Sequence, residues 1–135
     1  MKQSEREAIL ANQTRHEPDM SRYKDEAPMS SAEFKCLREY MGFSTKWLSL
    51  KWGVSEFSIQ RWERNRQPPP DMAHWMRGML EQFGQRVDDA VDAGETTLLV
   101  PRTDDDSPNV MPAAVYRRIA MNAALRMEAG IEYLP

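Results

Sequence analysis

The residues best suited to chemistry in this 135-residue chain lie in one short stretch, between Lys46 and Arg66. Four side chains there match the edges of DNA bases in type. An amide such as Gln60 pairs bidentately with adenine, and a guanidinium such as Arg61 pairs with guanine or a phosphate. A carboxylate accepts a hydrogen bond from cytosine, and an aromatic ring contacts the thymine methyl group. The residues predicted to contact bases are therefore Glu56, Phe57, Gln60 and Arg61.

Hydroxyl, ammonium and guanidinium groups surround these four residues. Such groups hold the sugar–phosphate backbone and position a protein on the duplex without reading its sequence. The residues predicted to contact phosphates are Thr45, Lys46, Lys51, Ser55, Arg64 and Arg66. The alternative interpretation is an ordinary helical hairpin with a solvated face, but turn, caps and charge together favour a nucleic-acid surface.

The net charge of −3 hides an uneven distribution along the chain. Residues 30–66 carry seven basic and four acidic side chains, whereas residues 67–135 carry six basic and eleven acidic ones. Residues 1–29 carry five basic and six acidic ones. Because phosphate binding depends on the local potential rather than on the overall pI of 5.4, residues 30–66 remain a candidate for binding a polyanion.

Two short helices joined by a tight turn must position these side chains. Ser44 and Ser55 are suitable N-cap residues, and Gly53 is suited to end the first of the two helices. The second helix would then enter a major groove, which admits one helix. This is the helix-turn-helix pattern. The apolar residues predicted to hold the two helices together are Leu48, Trp52, Ile59 and Trp62.

The stretch STKWLSLKWGVSEFSIQRWERNRQPPP resembles the helix-turn-helix of Cro/CI-type, or Xre-type, repressors of phages and bacteria. Gly53-Val54-Ser55 matches the turn of that family, and Arg61-Trp62-Glu63, followed by RNR, matches the end of its third helix. Thr45 departs from the pattern, since a glutamine is common there, and Trp47 and Trp52 replace smaller residues. The resemblance implies a sequence-specific DNA-binding repressor.

Residues 30–135 are also similar in plan to the anti-CRISPR-associated regulators, which are small dimeric repressors. That plan has a helix-turn-helix, a long helix, a strand after a glycine turn and a last helix that ends in glycine. The matching segments here are VDAGETTLLVPR and NVMPAAVYRRIAMNAALRMEAG. This resemblance implies a C-terminal dimerisation region and autoregulation of the adjacent gene.

The rest of the pattern predicts a mainly α fold. The stretch SSAEFKCLREYMG predicts a first helix with a capping box at its start. Apolar residues at helical spacing predict a long helix over 71–93, and a β-rich run predicts one short strand over 96–100. A last helix is expected from about residue 112 to residue 129, followed by a short tail.

One strand is not stable alone, and the sequence offers no second convincing strand. We therefore expect the strand to pair with its own copy across a two-fold axis, as a homodimer. The residues predicted at the dimer interface are Leu98, Leu99, Val100, Tyr116, Ile119, Ala123 and Met127. The predicted domains are a flexible extension (1–29), a helix-turn-helix domain (30–70) and a dimerisation region (71–135).

The sequence contains no convincing catalytic or metal-binding pattern. Asp104 to Asp106 are adjacent residues of a predicted solvated loop and lack the spacing of a calcium loop. His16 and His74 have no Cys or Glu at zinc spacing. We predict no enzyme activity, no metal and no cofactor. The single Cys36 favours the cytoplasm, and no apolar run is long enough to predict a membrane span.

These patterns favour a cytoplasmic, homodimeric repressor that binds an inverted repeat in double-stranded DNA. Two alternatives remain open. An antitoxin would repress its operon and also bind a toxin, through residues 1–29 or through the C-terminal tail. A protein-interaction module would use the surface of the helical hairpin against another protein.

Overall fold

The computed structural model describes residues 2–5, 7–8, 23, 25–108 and 110–135. Residues 3–5 and 7–8 are helical. The longer helices are α1 (Ser31–Met41), α2 (Thr45–Trp52), α3 (Glu56–Arg64), α4 (Pro70–Ala93) and α5 (Ala113–Ala124). The strands are β1 (Thr97–Val100) and β2 (Gly130–Tyr133), and a 3-10 turn covers Asp104–Asp106. The predicted mainly α class is confirmed.

Serine side chains begin the first three of these helices. The Ser30 hydroxyl accepts a hydrogen bond from the Glu33 backbone N–H, and the Glu33 carboxylate accepts one from the Ser30 N–H. Ser44 and Ser55 each accept a hydrogen bond from the backbone N–H three residues later. These hydrogen bonds confirm the predicted capping box and both predicted N-caps. The sequence could predict them because such caps depend on short-range spacing alone.

Apolar side chains from α1, α2 and α3 form one core. Leu48 and Ile59 are fully buried between α2 and α3. Trp62 is buried as well and meets the ring of Phe34 edge-on, with 6.2 Å between the ring centroids. Trp52 is buried beside them. The four residues predicted to hold the two helices together are therefore all core residues.

Trp47 connects the helix-turn-helix to the rest of the molecule. Its ring stacks on Phe43 at 4.9 Å and lies 6.2 Å from Trp75 of α4. Its indole N–H donates a hydrogen bond to the Val110 carbonyl at 3.0 Å, in the segment before α5. Trp47 is therefore a buried junction between α2, α4 and the approach to α5.

The turn between α1 and α2 packs tightly on the start of α5. Gly42 ends α1 with a φ of 93°, in the left-handed region. A Cβ atom at this position would lie 2.8 Å from the Ala114 carbonyl carbon and 3.0 Å from the Val115 nitrogen. Both the backbone angle and the neighbouring backbone therefore require glycine here.

The two strands pair with each other, in parallel, within one chain. Thr97 lies opposite Gly130, and Val100 lies opposite Tyr133. The expectation that the strand lacks a partner in its own chain was wrong, because β2 is formed by residues that were predicted as the end of a helix and a tail. The sequence did not predict β2, because β2 pairs with β1, which lies about thirty residues earlier in the chain.

The last helix is shorter than predicted. Residues 112–129 were expected to be helical, but α5 ends at Ala124. After it the backbone tightens, and the Arg126 N–H donates to the Ala123 carbonyl at 2.9 Å, a three-residue spacing. This turn reverses the chain so that β2 can run beside β1.

Most of the residues predicted at a dimer interface pack inside one chain. The buried residues of this set are Val100, Ile119 and Ala123. The partly buried ones are Leu98, Tyr116 and Met127. α5 and β1 present the side chains of the buried three to the core of their own chain, and the dimer interface stays a prediction. Leu99 differs from these six, because 57% of its surface is exposed.

The end of the predicted flexible extension is packed on the fold. Met29 is buried, and the Glu26 carboxylate lies 2.6 Å from Nδ1 of His74 on α4. The folded part therefore begins earlier than predicted. The prediction of flexibility for residues 9–22 lies outside the described residues.

Candidate nucleic-acid interface

A three-residue turn sets the angle between α2 and α3. Gly53 takes a φ of 62°, and the Val54 N–H donates a hydrogen bond to the Ser49 carbonyl at 3.1 Å. Ser55 then caps α3. Because the turn is closed by backbone hydrogen bonds and both helices are buried on one side, α3 is held in a fixed orientation on the surface.

α3 has a buried face and an exposed face. Ile59 and Trp62 point into the core. The opposite face carries the four predicted base-contact residues, of which Arg61 is partly buried and the others are exposed. Phe57 is 60% exposed, and the Arg61 guanidinium lies 5.8 Å from the centroid of its ring. The structure therefore brings Glu56, Phe57, Gln60 and Arg61 together on one side of a rigid helix.

The acidic residue on the inner side of α3 is neutralised inside the protein. Arg38 of α1 forms an ion pair with Glu63 of α3 through its Nε atom. The same guanidinium donates a hydrogen bond to the Phe43 carbonyl at 3.0 Å. The Arg38 and Glu63 side chains are 15% and 9% exposed. Because Arg38 balances its charge, Glu63 lowers the positive potential of the exposed face only slightly.

The sequence patterns did not reveal this ion pair. Arg38 and Glu63 are 25 residues apart and belong to different helices, so no local spacing rule connects them. The available signal was an acidic residue beside the buried Trp62 on α3, where a charge needs a partner. The pair joins α1, the α1–α2 turn and α3.

Two predicted contacts of different kinds are bonded to each other. The Thr45 hydroxyl, predicted to contact a phosphate, donates to the Glu56 carboxylate at 2.8 Å. Glu56 was predicted to accept a hydrogen bond from cytosine. The bond links the first residue of α2 to the first residue of α3. Either contact with DNA requires this bond to open or to be shared.

A carboxylate from the N-terminal segment contacts another predicted phosphate site. Glu7 lies 2.9 Å from the ammonium group of Lys46. The hydrogen bond from Lys46, assisted by one from Gln3 and by the positive charge, holds the pKa of Glu7 below its usual range. The hydrogen bond to Glu7 and its negative charge raise the pKa of Lys46. The spacing of residues 1–29 predicted no docked face, so this contact was missed.

The remaining predicted phosphate contacts lie around α3. Lys51 is partly buried near the end of α2, and Ser55 is exposed at the start of α3. Arg64 and Arg66 are exposed at the end of α3 and just after it. Basic groups therefore occur on α2 and at the C-terminal end of α3, on either side of the base-contact residues in the chain.

The run of three aspartates has a structural role. The Asp104 carboxylate accepts a hydrogen bond from the Ala113 backbone N–H at 2.8 Å, at the start of α5. The Thr103 hydroxyl donates to Asp106 at 3.2 Å. The expected solvated loop is therefore an ordered turn that caps a helix. In the described ranges, no group of three or more His, Cys, Asp and Glu side chains could hold a metal ion.

None of the helices in the part of the chain that the structure describes is both long enough and apolar enough to cross a membrane.

No protein-family model matches the chain, and no curated protein matches it. The function of the α2–α3 surface must therefore be argued from its geometry and charge.

Proposed function

We propose that the protein is a sequence-specific transcriptional repressor that binds an inverted repeat in double-stranded DNA as a homodimer. The observation that carries this proposal is the exposed face of α3, where Gln60, Arg61 and Phe57 lie together on a capped helix behind a three-residue turn. In this proposal α3 lies in the major groove and α2 crosses the DNA backbone. Two copies contact half-sites about 34 Å apart, or a multiple of that distance.

Each side chain on the exposed face has a role in this proposal. The Gln60 amide pairs with adenine, and Arg61 pairs with guanine or an adjacent phosphate. Phe57 contacts a thymine methyl group. The ring of Phe57 lies beside the Arg61 guanidinium and limits its freedom before DNA arrives. The Thr45–Glu56 bond opens when Thr45 meets a phosphate and Glu56 meets a base.

The distribution of charge supports the same proposal. The basic excess of the chain lies in residues 30–66, whereas residues 67–135 are acidic. Within that basic segment, Glu63 is paired with Arg38, and the Glu33 carboxylate accepts the Ser30 N–H. We expect specific binding with a Kd of about 10⁻⁸–10⁻¹¹ M that weakens steeply as salt rises. Autoregulation of the adjacent gene rests on the resemblance to small dimeric regulators.

The direct test is binding to the DNA upstream of the gene that encodes the protein. Fluorescence anisotropy with that DNA should show saturable binding that survives an excess of random duplex. Gln60→Ala and Arg61→Ala should each weaken operator binding about 5- to 150-fold, the usual range for a bidentate base contact. They should change binding to random DNA much less, since base contacts supply specificity.

The chain contains a matched control for these two variants. Gln85 and Arg86 form the same dipeptide on α4 and are exposed. Gln85→Ala and Arg86→Ala should leave operator binding unchanged. If the Gln60 and Arg61 variants bind as tightly as the parent protein at moderate salt, α3 is not the recognition helix.

The exposure of Phe57 favours one second candidate, a protein-interaction module. A large aromatic ring that is 60% exposed on a rigid helix is also typical of a protein-binding anchor. In that case Phe57→Ala abolishes capture of a partner while the upstream DNA is not bound specifically. An antitoxin would combine the two results, with a toxin that co-purifies and an operator that is bound.

A further inference from the structure

Large apolar side chains that remain exposed are concentrated in the C-terminal part of the fold. In the described ranges these residues are Tyr40, Phe57, Leu99, Met121, Leu125, Tyr133 and Leu134. Five of the seven follow residue 96. Phe57 belongs to the proposed DNA surface, and the Tyr40 hydroxyl donates to Asn122 of α5. The five exposed residues after residue 96 have no role in the proposed DNA contact, and one of them, Leu99, lies on β1.

One edge of the small sheet has backbone groups available for a further strand. The Gly130 N–H donates to the Thr96 carbonyl at 3.0 Å, and the Leu134 N–H donates to the Val100 carbonyl at 2.9 Å. Backbone groups alternate in direction along a strand, so those of Thr97 and Leu99 point to the other edge. Within the described residues the sheet has two strands and ends at β1 on that side.

This edge lacks the features that usually protect a strand from pairing. Natural edge strands carry a lysine, a proline, a bulge or an inward charge. β1 has the sequence TLLV and has none of these features within it. Parallel sheets are normally covered on both faces, yet Leu99 and Leu134 are exposed. A two-stranded sheet of this length is also marginally stable alone.

We propose that the free edge of β1 docks β1 of a second copy of this chain, antiparallel, to form a four-stranded sheet across a two-fold axis. With the axis at Leu98, Thr97 of one copy lies opposite Leu99 of the other. Both residues present N–H and C=O groups to the edge, so the two symmetric pairs form about four hydrogen bonds. The proposal rests on the homodimer of the proposed function and deepens it by assigning its contact surface.

Charges at the two ends of β1 favour this orientation. Glu95 precedes the strand and Arg102 follows it. Antiparallel pairing brings Glu95 of each copy close to Arg102 of the other, whereas parallel pairing would place like charges together. Pro101 follows β1 directly and ends the pairing at Val100. The contact is isologous, as a closed dimer requires.

The first test is the oligomeric state in the absence of DNA. Sedimentation equilibrium should show a dimer at micromolar concentration. The double variant Thr97→Lys/Leu99→Lys places two charges in each copy at the edge and should raise the dissociation constant of the dimer at least about tenfold. Leu125→Lys is the matched control, because Leu125 is 75% exposed but lies outside the strand edge. It should leave the dimer intact.

The second test needs no substitution and does not depend on whether the lysine variant folds. The amide protons of Thr97 and Leu99 should exchange slowly in the dimer and at least about tenfold faster after dilution below its dissociation constant. A parent protein that is monomeric at about 100 μM overturns the proposal. So does a dimer in which the Leu99 amide exchanges as an unprotected group, or one that survives the double lysine substitution.

These measurements are separate from the test of DNA binding. Gln60→Ala and Arg61→Ala should remain dimers, and the double lysine variant should keep its α3 surface while it loses cooperative binding to the two half-sites. Loss of operator binding by the parent protein would leave the sheet contact standing. Loss of the dimer would leave α3 as a DNA-binding helix.

Discussion

The helix-turn-helix and the C-terminal sheet present opposite kinds of surface. α3 exposes amide and guanidinium groups over a closed apolar core, whereas the region around β1 and β2 exposes leucines. α4 has 24 residues and is therefore about 36 Å long. It packs against α1 of the helix-turn-helix and against α5, which carries the sheet. A polar surface on a rigid helix suits a polyanion, and an apolar strand edge suits another protein chain.

The two halves also depend on different parts of the sequence. The helix-turn-helix is held by residues that are close in sequence and by one largely buried ion pair. The sheet is held by two segments about thirty residues apart, and its exposed face lacks a cover within the described residues. Substitutions at the contact between the halves test whether the two halves unfold together. Substitutions within one half test whether DNA binding and dimerisation are independent.

The strongest loss of stability is expected from Gly42→Ala, at the contact between the two halves. A side chain here is strained by the positive φ and collides with the backbone at Ala114. The two costs together should lower the free energy of unfolding by about 2–5 kcal/mol. Urea unfolding followed by circular dichroism measures it.

Gly94→Ala is the control for this variant. Gly94 also has a positive φ, of 66°, but a Cβ added there would meet none of the described atoms within 4 Å. The substitution should cost about 1–2 kcal/mol, the backbone strain alone. Equal losses in the two variants would mean that the α1–α2 turn does not depend on α5, and that the halves are less coupled than their packing implies.

A smaller loss is expected from Glu63→Ala, within the helix-turn-helix alone. Removing this carboxylate leaves the largely buried Arg38 without its ion-pair partner. The free energy of unfolding should fall by about 2–3 kcal/mol. Glu39→Ala, on an exposed position of α1, should change it by less than about 0.5 kcal/mol. Similar values for the two variants would show that the ion pair contributes no more than a surface charge.

Arg64→Ala should affect DNA binding without affecting the dimer. Loss of one phosphate contact should weaken binding about three- to tenfold on operator and random DNA alike, and should reduce the salt slope by about one. Arg118→Ala, on an exposed position of α5, should change neither quantity. A loss confined to the operator would instead assign Arg64 to a base.

The weakest effect is expected from Glu7→Gln, which frees Lys46 for a phosphate. DNA binding should become about twofold tighter, and the gain should shrink as salt rises. The pKa of Glu7 lies below its ordinary 4.5 and that of Lys46 above 10.5, so both groups stay charged between these values. The contact is lost when acid protonates Glu7 or when base deprotonates Lys46, and the gain should therefore be constant from about pH 6 to pH 8.

Glu5→Gln is the control, since the Glu5 carboxylate accepts a hydrogen bond from the Lys2 backbone N–H in its own segment. It should leave DNA binding unchanged. An equal gain in both variants would indicate a general effect of lower negative charge rather than release of Lys46.

Local signals predicted the helix-turn-helix well. The serine caps, the glycine at position 53 and the apolar spacing act over three or four residues, and the structure confirms each of them. The grouping of Gln60 and Arg61 on one exposed face follows from the same spacing. The Arg38–Glu63 and Lys46–Glu7 ion pairs were not predicted, because each joins segments that no periodicity relates.

The C-terminal part could not be predicted to the same degree. Residues 125–129 have helical composition, and the reversal after Ala124 is imposed by the pairing of β2 with β1. A four-residue strand that contains Gly130 and Glu132 has weak β propensity. The sequence revealed β1 because its residues are β-rich. β2 could not be predicted from the sequence, because its formation depends on long-range pairing with β1 rather than on local β propensity.

The aromatic junction around Trp47 also gives one half of the molecule most of the tryptophan fluorescence. Three of the four tryptophans of the chain, Trp47, Trp52 and Trp62, lie on α2 and α3, and Trp75 of α4 packs against the same core. Intrinsic fluorescence of tryptophan therefore reports mainly on the helix-turn-helix, since the sheet contains no tryptophan. Emission during denaturation should follow the helix-turn-helix, and a circular dichroism transition that coincides with it would show that both halves melt as one unit.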